Sequence, residues 1–411
     1  MKKKILIAAI IIFLCAGIYS YHHNFLVAKE REDNFYKELD IFAQALAVIE
    51  EKYVQKKPPQ DLIYGALDGL LSSLDSYSEF MSPDEYKDLL VETEGKFGGL
   101  GIEITIKDTL LTVVSPIEDT PAWNAGLKPG DIIVKIDGKI TRGITITEAV
   151  KKLRGEPGTK VTLTVLRDKD KKIEDVTIER AIIKIKDIKR ATMLEDGIGY
   201  IRITEFRENT AKELDKGLEE LKKSGLKGLI IDVRNNPGGL LDTAIEVASR
   251  FLENDKVIVS TKGRTEKEVV YKSLPVKEKY TNIPIVVLIN KGSASASEIL
   301  ASALRDNKKA ILLGETSFGK GSVQTIIPLS DNSALRLTTA LYYTPSGLSI
   351  HEKGITPDIT ITTEKNPQEN KEDVFENLEK KSEFDYKKDY YIVRAVDLLK
   401  GILVLKDNRN Q

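Results

Sequence analysis

Two segments of this chain hold residue types that could break an acyl bond. The first, KGSASASE at 291–298, follows the apolar run IVVLI at 285–289 and passes through small residues into an apolar, helix-like stretch. A buried strand that turns sharply into a helix exposes a serine hydroxyl and aims the first helical amides at whatever that hydroxyl attacks, so Ser295 is a candidate nucleophile. Ser295 and Glu298 also have the S-x-x-E spacing of a capping box, and that motif on its own ordinarily reads as a cap. A nucleophilic serine needs a base, and the chain has 3 histidines. His22 and His23 flank an N-terminal apolar run, which leaves His351, in the polar stretch SIHEKG at 349–354. A lysine serves instead when burial or a nearby cation lowers its pKa, and Ser-Lys variants of the catalytic triad exist. Lys320, in GETSFGKGSVQ at 314–324, has glycine on both sides and no adjacent carboxylate to hold its proton. GETSFGKG also fits the first seven positions of a P-loop, but the eighth, which should be Ser or Thr to ligate magnesium, is Gly321.

The elements that must position these residues follow from hydrophobic periodicity. From 182 onward strand-like and helix-like runs alternate: strands over 198–203, 229–233, 285–290 and 310–314, helices over 210–223, 240–252 and 296–305. That alternation predicts an α/β core at 181–362. Residues 93–180 carry short β-rich runs between Gly- and Pro-containing turns and one short helix at 147–153, a mostly β domain. Residues 30–92 read as a helical subdomain: Leu39, Phe42, Leu46, Ile49 and Tyr53 form one stripe, a second helix follows Pro58-Pro59, and Ser82-Pro83-Asp84-Glu85 is a capping box opening a third. The stripe at 39–53 could also serve self-association. Residues 363–411 are a charged linker and a closing helix with Ile392, Val396 and Leu399 on one face.

Composition limits the function classes. Lys plus Arg (62) nearly balances Asp plus Glu (63), so no global field selects nucleic acid as a partner. Lys2, Lys3 and Lys4 precede an apolar run from Ile5 to Ile18, the pattern of a signal peptide or membrane anchor over 1–22, which puts the rest of the chain on the outer side of a bacterial cell membrane or beyond it. Cleaved signal and retained anchor both remain open. The single cysteine, Cys15, lies in that run, so the exported body has neither a disulfide nor a cysteine nucleophile. Export also separates the chain from ATP and CoA.

The motifs, taken in order, resemble the carboxyl-terminal processing (tail-specific) serine protease family. The resemblance runs from about residue 35 and rests on LDSYSEFM at 74–81, IDVRNNPGG at 231–239, GSASASE, FGKGSVQ and GLSIHEKGITPD at 347–358. It implies a multidomain α+β architecture: an N-terminal helical subdomain, a mostly β PDZ domain, an α/β core like that of crotonase and ClpP, and a C-terminal helical tail. It further implies Ser295 as nucleophile, Lys320 as base and Gln324 orienting the lysine, with no cofactor and no metal. An oxyanion hole would be formed by the amide of Ala296 and by that of Gly238 or Gly239. FGGLGIEI at 97–104, with PAWNAGLKPGDIIVKIDG at 121–138, is similar to a PDZ domain, whose loop amides, here of Leu100, Gly101 and Ile102, receive a terminal carboxylate while the ligand adds as a strand. Arg154 stands where a cation could link ligand occupancy to the core. The expected partners are proteins or peptides with exposed apolar C-termini, and a second copy of the chain. Two other classes are weighed against this: a catalytically silent membrane PDZ adaptor, disfavoured because the Ser, Lys and Gln positions are all filled, and a crotonase-like acyl-CoA enzyme, disfavoured by the export signal.

Overall fold

The computed structural model describes residues 36–107, 109–117, 119–167, 172–264, 267–361 and 384–409. The run at 1–22, with Cys15, His22 and His23, and the charged stretch at 363–383 lie outside them. Among the described residues no helix is long and apolar enough to cross a membrane. The chain forms two compact units that divide between Phe80 and Met81. In the first, helix α1 (36–52) leaves Leu39, Phe42 and Ile49 exposed, and α2 (Pro59–Ser72) places Pro59 at its start, where a missing amide proton costs nothing. The short strand β1 (Glu79–Met81) closes it.

The second unit opens with α3 (Pro83–Glu94), where the expected capping box forms: the Ser82 amide donates to the Glu85 carboxylate at 2.8 Å and the Glu85 amide to the Ser82 hydroxyl at 3.4 Å. Strands β2 (Lys96–Gly99) and β9 (Ala181–Lys184) pair antiparallel at the two ends of a β module. Between them β3 (Ile102–Lys107), β4 (Leu110–Pro116), β5 (Ile132–Ile136), β7 (Lys160–Leu166) and β8 (Ile173–Glu179) form an antiparallel sheet, with β6 (Lys139–Ile140) paired to β5. Helices α4 (Pro121–Asn124) and α5 (Ile146–Leu153) complete the module. Its core is Leu111, Val113, Ile133, Ile136, Val161, Leu163 and Val165, and burial along β7 alternates with the two-residue period of a half-covered strand.

The rest is built on a six-stranded sheet in the order β10 (Ile188–Met193), β11 (Ile198–Ile203), β12 (Gly228–Asp232), β15 (Ile285–Ile289), β16 (Ala310–Gly314), β19 (Ile359–Thr360). Apart from the antiparallel edge strand β10, neighbours run parallel. β12 and β15 are buried at every position because helices cover both faces, so their sequences are apolar throughout except for Asp232 at the end of β12. One face packs Ile201, Leu229, Ile231 and Val287 against α6 (Thr210–Lys223), α7 (Leu241–Ser249) and α8 (Ala296–Asp306). The other packs Tyr200, Ile230, Val286 and Leu288 against Ile392, Ala395, Val396 and Leu399 of α9 (Tyr390–Arg409). A second, antiparallel sheet joins β17 (Ser322–Pro328) and β13 (Val257–Gly263) to β18 (Ala334–Tyr343), with β14 (Val269–Lys272) on β13.

Leu399 is fully buried on the α9 face. Leu399→Ala is therefore expected to cost about 2–5 kcal/mol of stability, read as a lower denaturation midpoint. An unchanged midpoint would mean that α9 is not part of the core.

Candidate active site

The carboxyl ends of β12, β15 and β16 lie side by side, and each leads into one of the segments singled out above. From β15 the chain passes through 290–294 to Ser295, the residue capping α8. Ser295 has φ 51° and ψ −114°, a backbone conformation that a residue with a Cβ adopts only under constraint. The constraint is hydrogen bonding around the turn. Ser293 donates its hydroxyl to the Val233 carbonyl at 2.8 Å, Ser297 donates to the Asn236 carbonyl at 3.0 Å, and the Ala294 amide donates to that same carbonyl at 3.0 Å. The Ser295 hydroxyl lies near the Glu298 amide, as in a capping box, but that amide bonds the Ser295 carbonyl at 2.8 Å and no side-chain cap bond forms.

Glu298, which the sequence presents as a cap, is the centre of the site. It is fully buried. Its Oε2 accepts the Ser295 amide at 2.8 Å and the Lys320 amide at 2.9 Å. Its Oε1 accepts the Ser317 hydroxyl at 2.6 Å and the Gly319 amide at 2.7 Å. One carboxylate thus binds the backbones of the serine and the lysine to a single oxygen. Burial pushes its carboxyl above the usual range, against the pull of the Ser317 hydroxyl and the amides of Gly319, Ser295 and Lys320. Three of the four donors are backbone amides, which can only donate, and this arrangement suits the ionised form.

Lys320 is half-buried, and the Phe318 amide just before it donates to the Ser293 carbonyl at 2.9 Å, a second link between the two loops. Gln324 stands on β17 and commits its amide nitrogen to the Ser322 hydroxyl at 2.8 Å and the Thr338 hydroxyl at 3.4 Å. His351 is beside this loop, since the Glu352 amide donates to the Gly319 carbonyl at 2.9 Å. Its Nδ1 is buried without a hydrogen-bond partner among the described residues.

After β12, the glycine pair takes two different environments. A Cβ on Gly238 would stand 2.7 Å from the Ser295 Cβ and 2.9 Å from the Ala296 nitrogen, so only glycine lets the two turns touch. The Gly238 amide is already committed to Asn236 Oδ1 at 2.9 Å. Gly239 is exposed and its amide makes no hydrogen bond among the described residues, and Ala296 is the first residue of α8, with its amide outside the helical ladder. Asn236, fully buried, was not singled out from sequence. Its position in NNPGG reads as a turn, whereas it braces both loops.

In the β module, the Leu100 carbonyl accepts the Ala122 amide and the Gly101 carbonyl accepts the Ile117 amide, each at 2.8 Å. Because a peptide group is planar and trans, the Gly101 and Ile102 amides point the opposite way. They face a pocket of about 100 Å³ between β3 and α5, lined by Ile102, Ile104, Val150 and Leu153 together with Phe97 and Arg154. Arg154 ends α5, lays its guanidinium 4.7 Å over the Phe97 ring and approaches Asp88 of α3 at 3.8 Å.

Replacing Glu298 by Gln puts an NH2 group where two donors converge. Glu298→Gln should lower kcat about 10²-fold by displacing one loop from the other, and cost about 1–3 kcal/mol of stability. Kinetics and a denaturation midpoint on one preparation check both, and wild-type kcat would remove Glu298 from this role.

Comparison with known proteins bears on the same segments. Family models match at residues 197–361 (peptidase family S41), 112–167 (PDZ domain) and 12–85 (activating protease CtpB N-terminal domain). A carboxy-terminal-processing protease of Bartonella bacilliformis is 47% identical over 359 residues, covering 85% of this chain and 82% of its own. The carboxy-terminal processing protease CtpA of Bacillus subtilis is 40% identical over 321 residues, 78% of this chain and 68% of its own. Among solved structures, the photosystem II D1 C-terminal processing protease shares 30% identity over 78% of this chain and 92% of its own, with a TM-score of 0.47. With the glycine turn, the serine elbow and the lysine loop side by side on a mixed α/β core that also carries a PDZ domain, the chain belongs to the carboxy-terminal processing proteases of peptidase family S41 and is a serine-type peptidase.

Proposed function

We propose that this protease cleaves exported proteins whose C-terminal tails it holds in its PDZ domain, using Ser295 as nucleophile and Lys320 as general base. The observation that carries this reading is the shared Glu298 oxygen, which keeps the Ser295 and Lys320 amides within two hydrogen-bond lengths of each other. Neutral Lys320 takes the Ser295 hydroxyl proton as the oxygen attacks the substrate carbonyl carbon. The oxyanion is received by the amides of Ala296 and Gly239, the latter chosen over Gly238 because the Gly238 amide is occupied by Asn236. Collapse of the tetrahedral adduct expels the amine, which takes the proton back from Lys320. Water, deprotonated by the same lysine, then releases the acyl group from Ser295. Gln324, its amide nitrogen fixed by Ser322 and Thr338, orients the lysine. No step calls for a metal or an organic cofactor.

The substrate's terminal carboxylate meets the amides of Leu100, Gly101 and Ile102, its last side chain enters the 100 Å³ pocket, and its backbone extends the sheet along β3. A pocket of that size suits one apolar side chain. Arg154, between that groove, Phe97 and α3, reports occupancy to the rest of the unit. The triple lysine and apolar run at the N-terminus support export, with the body at the outer face of the bacterial membrane or released beyond it.

The test is cleavage, by the full chain, of a protein ending in an apolar tail. Ser295→Ala and Lys320→Ala should each lower kcat at least about 10³-fold, and equal cleavage by wild type and Ser295→Ala overturns the assignment. Because the base works unprotonated, kcat should rise with pH to a plateau. Its apparent pKa should lie below the ordinary lysine value of about 10.4, and the profile should be the same in His351→Gln. Separately, Arg154→Ala should abolish the dependence of cleavage on a PDZ-binding peptide while leaving that peptide's affinity within about threefold, as for loss of a partly exposed contact. If the peptide dependence stays as in wild type, Arg154 is only a surface residue of the turn.

A further inference from the structure

The lysine loop that meets Glu298, and the glycine turn after β12, are both gripped by one turn of a helix far away in sequence. Arg234, the residue between β12 and the NNPGG turn, donates to both oxygens of Asp389 at 3.1 and 2.7 Å. It also donates to both oxygens of Asp232, at 3.0 and 2.7 Å. Its side chain is 10% exposed, and its guanidinium sits 5.0 Å from the centre of the Tyr391 ring. Asp389 in turn caps α9, accepting the amides of Tyr391 at 3.0 Å and Ile392 at 3.3 Å. Burial alone would raise its carboxyl, but hydrogen bonds and charge from Arg234 and the two amides hold it below the usual range. Tyr391 then reaches the other loop: its hydroxyl donates to Glu315 Oε1 at 2.8 Å. Glu315 is the first residue after β16 and starts the segment that leads to Lys320.

We propose that the start of α9 is a clamp on the catalytic loops, with Asp389 and Tyr391 as positioning residues for the reaction. Asp389, through Arg234, sets the origin of the turn that presents Gly239, and Tyr391, through Glu315, sets the origin of the lysine loop. This rests on the assignment of Ser295, Lys320 and Gly239 made above. A bidentate arginine–carboxylate pair fixes orientation as well as distance, which a single contact does not. Glu298 joins the Ser295 turn to the lysine loop, and the start of α9 joins the lysine loop to the glycine turn, so the lysine loop is held at two points and all three loops are linked in series. Packing of α9 on the sheet depends on other residues, Ile392, Ala395, Val396 and Leu399, so the grip on the loops can be removed while the helix stays docked.

The experiment uses the full chain carrying Asp389→Asn, Tyr391→Phe, Leu399→Ala or Ser295→Ala, assayed for kcat and KM on a tailed substrate, for PDZ-peptide affinity and for denaturation midpoint. Asp389→Asn and Tyr391→Phe should lower kcat about 10- to 100-fold, with KM and peptide affinity unchanged. Leu399→Ala should lower the midpoint at least as much as they do yet leave kcat of the folded protein near wild type. Tyr391→Phe combined with Glu315→Gln should be no worse than either alone, as for two ends of one contact. Wild-type kcat in Asp389→Asn and Tyr391→Phe beside an inactive Ser295→Ala overturns the clamp and leaves the serine assignment standing. An equal kcat loss in Leu399→Ala also overturns it, because general loosening would then suffice. Cleavage by Ser295→Ala removes the site and the clamp with it.

Discussion

A single buried carboxylate, Glu298, is the constraint around which the catalytic half of this molecule is arranged. Taking an ionised group out of water is costly unless donors replace the solvent, and here four protein donors do so, drawn from two stretches of the chain. The cost therefore turns into a geometric demand. The Ser295 turn, Ser317, Gly319 and Lys320 must all arrive at fixed positions or the carboxylate is left short of partners. The strain visible in the Ser295 backbone is compatible with a stable fold because these bonds over-determine the turn.

A similar demand is made on the opposite side of the sheet ends by Asp232, also fully buried, which accepts from the Tyr200 hydroxyl at 2.8 Å as well as from Arg234. Burial and the adjacent Asp232 charge push the Tyr200 phenol well above its ordinary value, so it stays a donor. Two buried acids thus fix the loops after neighbouring parallel strands, while the apolar sheet between them supplies the stability. Division of labour of this sort is natural in open α/β sheets, where sites form beyond the carboxyl ends of the strands.

Much of this was legible in the sequence, and what was not has physical reasons. The strands at 198–203 and 310–314 and the helix at 210–223 have the predicted bounds, because the strands are short, largely buried apolar runs and the helix buries a single stripe at helical spacing. The antiparallel sheet has no such signal: β14, β17 and β18 are mostly half-exposed or exposed, so neither alternation nor a long apolar run marks them. Ser295 and Lys320 could be named as candidates from the scarcity of histidine, and the family resemblance implies the same pair. Glu298 was visible only as a cap, since S-x-x-E describes local spacing and says nothing of the three donors that come from residues 317–320. The choice of Gly239 over Gly238 needed the direction of one amide, and the Arg234–Asp389 pair spans 155 positions, beyond any motif.

The placement of α9 has a consequence for how the chain is made. Tyr200, Ile230, Val286, Leu288 and Leu313 present one continuous apolar face, to which α9 brings Ile392, Ala395, Val396 and Leu399. Synthesis proceeds from the N-terminus, so this face exists as soon as the parallel strands pair and stays without those four side chains until residues 390–409 have emerged. For that interval the nascent chain carries an exposed apolar surface, the kind on which incompletely folded chains aggregate. Docking of α9, burial of that surface and arrival of Asp389 beside Arg234 are then one event.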